Sequence, residues 1–340
     1  MMSIIIAWPL AAVSERAPTR DIVDDVMTYL GFESQHKKAL ESGEILFTGR
    51  PELEALPQGI AVAGAMMLIE RPPRDLVDAF LSDETLRSHS NILAFGEVPA
   101  EGGDVSLLAG FDFSEAEQKE VRRLLRVKAG KEFNLAPREI EQLAAVADRT
   151  DAAEQVVATY RDALWQRLDA YRTSGLEGIL PYARKSGAMA SPTREMHASL
   201  DSAALLKKHF PELHAALEDY PDSMDGISNS RLLWIKKIVS DRPMVALVHR
   251  LLLVDGDIAI VAEREFYAGH TYNSMLTLAA VVPYEDGSLV FAANRTFTEK
   301  VGGSGLRKVM GRKLVARKFA QKFELLRANL SSSKAEAPSQ

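Results

Sequence analysis

Cysteine is missing from all 340 residues, so disulfides, thiolate metal sites, iron–sulfur clusters and a cysteine nucleophile are excluded by counting. That absence suits a reducing and an oxidising compartment equally. An excess of basic charge is missing too: 41 Lys and Arg stand against 47 Asp and Glu, a net charge of −6. This argues against a whole-protein polyanion binder while leaving room for a local basic patch. The chain also lacks the spacings of phosphate loops, zinc peptidases, EF-hands and serine-hydrolase elbows. Gly302–Gly303–Ser304–Gly305 fails the G-x-S-x-G spacing and precedes a helical pattern, where a capping turn explains it. No metal and no cofactor is therefore expected. What is present, 46% hydrophobic and 26% charged residues, is enough for a sizeable core without staples.

Ile4 to Val13 (IIIAWPLAAV) is an apolar run of ten, the length of a signal-peptide h-region and half of the roughly 20 residues a membrane span needs. Ala11 and Ala12 suit a cleavage site, but no basic residue precedes the run. Residues 1–20 therefore read as a signal remnant, with a buried first strand as the alternative. The matching localisation is periplasmic or exported, with cytoplasmic the alternative. Residues 331–340 (SSSKAEAPSQ) lack apolar periodicity and read as a disordered tail.

Between these ends, Ile22, Val26, Tyr29 and Leu30 recur at helical spacing before Gly31, a plausible stop. Gly59–Ile69 reads as a buried strand ended by Pro72–Pro73, followed by a helix over Arg74–Leu81 and strands over Ile92–Val98 and Val105–Phe111. From Ser114 the pattern turns helical, with Ala136–Val146, Ala152–Tyr171 and Ser199–Leu217 the clearest segments. Beyond Arg231 the period shifts towards two, predicting strands at Leu232–Val239, Met244–Val254, Ile258–Ala268, Tyr272–Pro283 and Ser288–Phe297. Asp255–Gly256 and Asp286–Gly287 are hairpin signals that call for antiparallel pairing. A final amphipathic helix is predicted over Leu306–Leu330.

The stretch GIAVAGAMMLIERPPRDLVDAFLSD, the run of late strands and the long last helix together resemble the helix-grip arrangement of the START/SRPBCC superfamily. The resemblance implies an α+β fold in which an antiparallel sheet wraps the C-terminal helix, with a helical insertion at about 136–220 in a single domain spanning 21–330. It also implies an apolar cavity between sheet and helix. The phrases YRDALWQRLDAYRTSGLEGILPYARKSG, LLWIKKIVSDRPMVALVHR, REFYAGHTYNS and ANRTFTEKVGG are similar to those of a group of bacterial proteins, many of them exported. That second likeness supplies no activity.

Such a cavity, left open, suits binding or transport of a small hydrophobic or lipid-like ligand; packed shut, it is simply core. Met66, Met67, Met275 and Met310 are adaptable side chains near its expected walls. The densest polar cluster, Phe266 to Ser274, reads either as a cavity mouth or as a β-bulge tied to backbone. In the first reading His270, Tyr272 and Asn273, with Tyr267, His249 and Met310, contact the ligand. A rival reading makes the cavity an active site in which His270 pairs with Glu263 or Glu265 as acid and base; a third makes the insertion a docking surface for another protein. The last helix carries Lys313, Arg317 and Lys318 on its polar face, which suits either an anionic membrane surface or plain solvation. Nucleic acid is not expected, because no reader motif accompanies the charge.

Overall fold

The computed structural model describes residues 19–48, 60–81, 83, 86–87, 89–130, 132–299, 320–321 and 323–328. The apolar positions near the start form α1 (Thr19–Tyr29), and Gly31, at a φ of +73°, ends that run before α2 (Ser34–Glu41). β1 (Leu46–Thr48), β2 (Ile60–Ile69), α3 (Arg74–Leu81) and β3 (Ile92–Val98) follow. The strand expected over Val105–Phe111 is instead a 3-10 turn at Val105–Leu108. Asp104 accepts a bond from the Ser106 backbone N–H at 2.8 Å, and a short polar side chain that caps its own turn competes with strand pairing.

Residues 99–228 lie between β3 and β6 and hold the helices α4 (Gln118–Leu124), α5 (Pro137–Val146), α6 (Ala152–Ser174), α7 (Pro192–Asp201), α8 (Ala204–His209) and α9 (Pro211–Glu218). A two-stranded hairpin of β4 (Tyr182–Ala183) and β5 (Met189–Ala190) interrupts them. The helical pattern expected over Ser199–Leu217 is carried by three helices, α7 to α9, with Pro211 at the start of α9, where its missing N–H costs nothing.

The remaining strands are β6 (Asn229–Val239), β7 (Arg242–Asp255), β8 (Ile258–Ala268), β9 (Ser274–Tyr284) and β10 (Gly287–Phe297). All pairings are antiparallel, in an eight-stranded sheet of order β1-β2-β10-β9-β8-β7-β6-β3. The α+β class and the large antiparallel sheet match the expectation. Two-residue loops join β6 to β7, β7 to β8 and β9 to β10. The first, Ser240–Asp241, has φ of +52° and +58°, the left-handed pair that matches strand twist.

Alternation sends side chains of each strand to two differently covered faces. Val245, Leu247, Ile260, Leu276 and Phe291 share one core with α1 and with Tyr160, Leu164, Leu168 and Tyr171 of α6. The helices of residues 99–228 therefore form one of the two layers holding the sheet. On the opposite face, Phe323, in the last helix as it is described at residues 320–321 and 323–328, and Leu76 of α3 are buried against Ala63, Ala65, Met67, Val281, Val290 and Ala292. At Phe266 the β7–β8 register slips by one residue, so that Val248 faces Glu265 but Leu247 faces Tyr267. This bulge turns Phe266 and Tyr267 to the same face, where Phe266 stacks on Tyr171 at 3.8 Å between ring centroids.

Candidate functional site

The junction between β8 and β9 is held from the segment that precedes α5. Asn134 gives its side-chain N–H groups to the carbonyls of Ala268 and Tyr272, both at 2.7 Å, and its backbone N–H to that of Gly269 at 2.8 Å. Asn134 thereby satisfies backbone groups that the interrupted ladder leaves without sheet partners. Thr271, at a φ of +75°, completes the turn.

Beside this junction lies Arg184, which follows β4 and is only 8% exposed. Its Nε meets Glu299 Oε1 at 2.5 Å, Nη1 reaches the carbonyls of Gly130 and Ala183 at 3.0 and 3.4 Å, and Nη2 reaches Oδ1 of Asn134 and Asn273 at 2.9 and 2.8 Å. A guanidinium has five N–H groups, and all five are engaged. Arg184 is consequently a keystone joining the hairpin, the 130–134 segment and the sheet end.

Asn273 passes the network on. Its Nδ2 donates to Glu195 Oε1 at 2.7 Å, and the Ser274 hydroxyl donates to Glu195 Oε2 at 2.8 Å. Glu195 stands in the first turn of α7, whose start is set by Pro192 and by Ser191, whose Oγ accepts from the Arg194 N–H. Burial pushes the Glu195 carboxyl above its ordinary value, against the opposing effect of these two donors.

Arg184, Glu195, Asn273 and Glu299 line a cleft of about 990 Å³. Its apolar wall includes Met189, Ala198 and Phe297, and its basic wall Arg126, Lys128, Lys185 and Arg194. By contrast, the apolar crevice between α1 and the sheet, lined by Ile22, Leu278 and Phe291, measures about 50 Å³. The cleft falls at the upper end of the range for small-molecule sites, about 300–1,000 Å³, whereas the crevice has room for little more than water.

Of the residues singled out in the sequence, Asn273 lines this cleft. Tyr272 points to the other face of the sheet, where its hydroxyl donates to Glu265 Oε2 at 2.5 Å and Glu265 Oε1 accepts from Lys237 at 2.5 Å. His270 is buried: Nε2 donates to the Pro243 carbonyl at 3.1 Å, leaving Nδ1 to accept from the Thr271 hydroxyl at 2.6 Å. Glu263 pairs with Arg250 at 2.5 Å. The acid–base pairing expected of His270 with Glu263 or Glu265 is thus replaced by these bonds. Tyr267, turned by the bulge, is buried against α6 with its hydroxyl 3.0 Å from that of Tyr160.

His249 is fully buried between Tyr171 and Ser230, whose hydroxyls lie 2.8 Å from Nδ1 and 2.9 Å from Nε2. Arg264 donates to the Tyr171 oxygen at 2.9 Å, so the Tyr171 proton is free to face Nδ1. Burial, aided by the Arg264 charge, drives the imidazole down to about 3. A neutral His249 then donates from Nε2 to Ser230. So poor a base does not activate the Ser230 hydroxyl as a nucleophile. Met310, Lys313, Arg317 and Lys318 lie outside the described residues.

Sequence reasoning missed Arg184, Glu195 and the basic wall. Arg184–Lys185–Ser186–Gly187 reads as a charged turn, and no local pattern joins it to Asn134, Glu195 or Asn273. Among the described residues, no group of three or more His, Asp or Glu could hold a metal ion, and no helix is long and apolar enough to cross a membrane.

No protein-family profile and no curated protein matches the chain. By structure it is similar to the crystal structure of the di-domain ARO/CYC StfQ from the steffimycin biosynthetic pathway. The identity is 12% over 81% of this chain and 99% of that chain, with a TM-score of 0.24. So loose a superposition carries no argument about function.

Proposed function

We propose that this protein binds a small hydrophobic or lipid-like molecule, and that the binding site is the cleft at the β8–β9 junction. The observation that carries the reading is the cleft itself, about 990 Å³ with an apolar wall beside a built polar floor. A helix-grip reading of the scaffold is supported by connectivity. β2 leads through α3 to β3, β6 to β10 run consecutively, and β10 closes back on β2. The sheet face towards the last helix is the expected cavity wall in that arrangement. Where that helix is described, however, Phe323 fills the space over Ala63, Ala65 and Ala292. The insertion opens a second site on the far side of the sheet end.

Native mass spectrometry of the purified full chain tests the reading. A bound small molecule is expected to be retained by the parent and lost from Ala188→Trp, which adds bulk at an exposed position of the cleft wall. A parent that carries nothing, or a ligand equally retained by Ala188→Trp, contradicts it. Catalytic use of the same cleft would fall to Glu195, the carboxyl that burial favours in its protonated form, rather than to His270. Binding alone leaves a Glu195→Gln variant loaded with the same molecule, chemically unchanged.

A further inference from the structure

The charges that line the cleft are unevenly balanced. Three carboxylates line it, and each is engaged: Glu132 with Arg123 at 3.2 Å, Glu299 with Arg184 at 2.5 Å, and Glu195 with Asn273 and Ser274. Burial further favours the neutral form of Glu195.

The cations are balanced differently. Arg184 spends all five donors inside the protein. Among the described residues, Arg126, Lys128, Lys185 and Arg194 have no carboxylate within 4.0 Å, though other cations nearby, such as Arg123 and Arg242, are paired. These four come from three separate segments: the stretch after α4, the tip of the β4–β5 hairpin and the first turn of α7. Surface cations without carboxylate partners are ordinary singly. Four converging on one concavity, in a chain of net charge −6, make a local positive field that a cleft focuses. Met189, exposed at 42%, and Phe297 supply apolar surface in the same concavity.

From this juxtaposition we infer that the ligand is an amphiphilic anion, with an apolar body against Met189 and Phe297 and a phosphate, sulfonate or carboxylate head met by Arg126, Lys128, Lys185 and Arg194. The inference rests on the binding reading above and deepens it by naming the head group. Arg is suited to this because its fork matches such oxyanions, while Lys adds charge that follows the head as it moves.

Two fluorescent probes that differ only in a sulfonate separate the inference from the reading beneath it. These are neutral N-phenyl-1-naphthylamine and anionic 1-anilinonaphthalene-8-sulfonate. They are titrated into the parent and into the triple variant Arg126→Glu, Lys128→Glu, Arg194→Glu, whose altered side chains are all exposed. A thermal melt confirms that the variant is folded. The anionic probe is expected to bind the parent about ten-fold or more tightly than the neutral one, and the variant to lose that advantage while holding the neutral probe as before. Dodecyl phosphate below its micellar concentration should displace the anionic probe, and inorganic phosphate at equal concentration should not.

Equal affinity for both probes, unaltered by the charge reversals, overturns the anionic head and leaves the binding reading intact. Displacement by inorganic phosphate as effective as by dodecyl phosphate overturns the amphiphile, because the head alone then suffices. Failure of both probes to bind overturns the binding reading, and the inference with it.

Discussion

At the scale of single residues, two buried titratable groups make opposite demands on pH. His249 holds a depressed value of about 3 in the folded protein, while an unfolded chain takes up the proton near 6.5. The unfolded state therefore binds more protons between those values, and the contribution of His249 to stability, intact above pH 6.5, is lost as pH falls towards 3. The slope is at most about 1.4 kcal/mol per pH unit. Urea unfolding at pH 7.5 and pH 5 should show the parent losing more stability than His249→Gln; equal losses would mean that the histidine is charged in its native setting. Glu195 works the other way. Its carboxyl is raised, so the native state keeps a proton that the unfolded chain has released. Its contribution is full below the ordinary carboxylate value and is lost as pH rises through the raised one. Glu195→Gln should lack that decline, which a series of thermal melts across the acid range would register. Sequence position alone showed neither behaviour, because both follow from burial by distant segments.

At the scale of elements, the last helix and the hairpins are open to direct test. Phe323 is 5% exposed and rests on a sheet face built of Ala63, Ala65 and Ala292. Alanines there leave room for the ring beside Met67, Leu76, Val281 and Val290, and truncation removes its apolar contacts with that cluster. Phe323→Ala should cost about 3–5 kcal/mol in chemical denaturation, and a loss of only tenths would place this helix off the sheet. Ser240–Asp241 holds left-handed backbone at two residues with side chains. Asp241→Gly should stabilise the β6–β7 hairpin by up to about 1 kcal/mol in chemical denaturation, because relief of about 1–2 kcal/mol of left-handed strain outweighs glycine's entropic cost of about 0.5–1 kcal/mol. These elements also show what could be read in advance. β6 to β10 announced themselves by alternation, and Gly31 by its place after an apolar stripe. The Ser240–Asp241 turn lacked the glycine that marked the other two hairpins. Strict alternation would put Tyr267 on the face of Glu265, and the single extra residue at Phe266 puts it on the opposite one.

At the scale of the whole molecule, a single sheet carries two unlike covers. One is the pair of α3 and the last helix, the other α1 with the helices of residues 99–228. The helical middle was legible, but its role as a full layer was not, since periodicity shows which face of a helix is apolar and not which surface receives it. The cleft is still less local. Asn134, Arg184, Glu195 and Asn273 are drawn together across as many as 139 positions, from 134 to 273. Only Asn273 stood within a cluster that the sequence marked.

Hydrogen exchange on the full chain, with and without dodecyl phosphate below its micellar concentration, tests the location of binding most directly. New protection is expected in residues 126–134, 184–195 and 297–299, with β2 and residues 320–328 unchanged. Protection confined to β2 and residues 320–328 would put the ligand between the sheet and the last helix instead, and contradict the account.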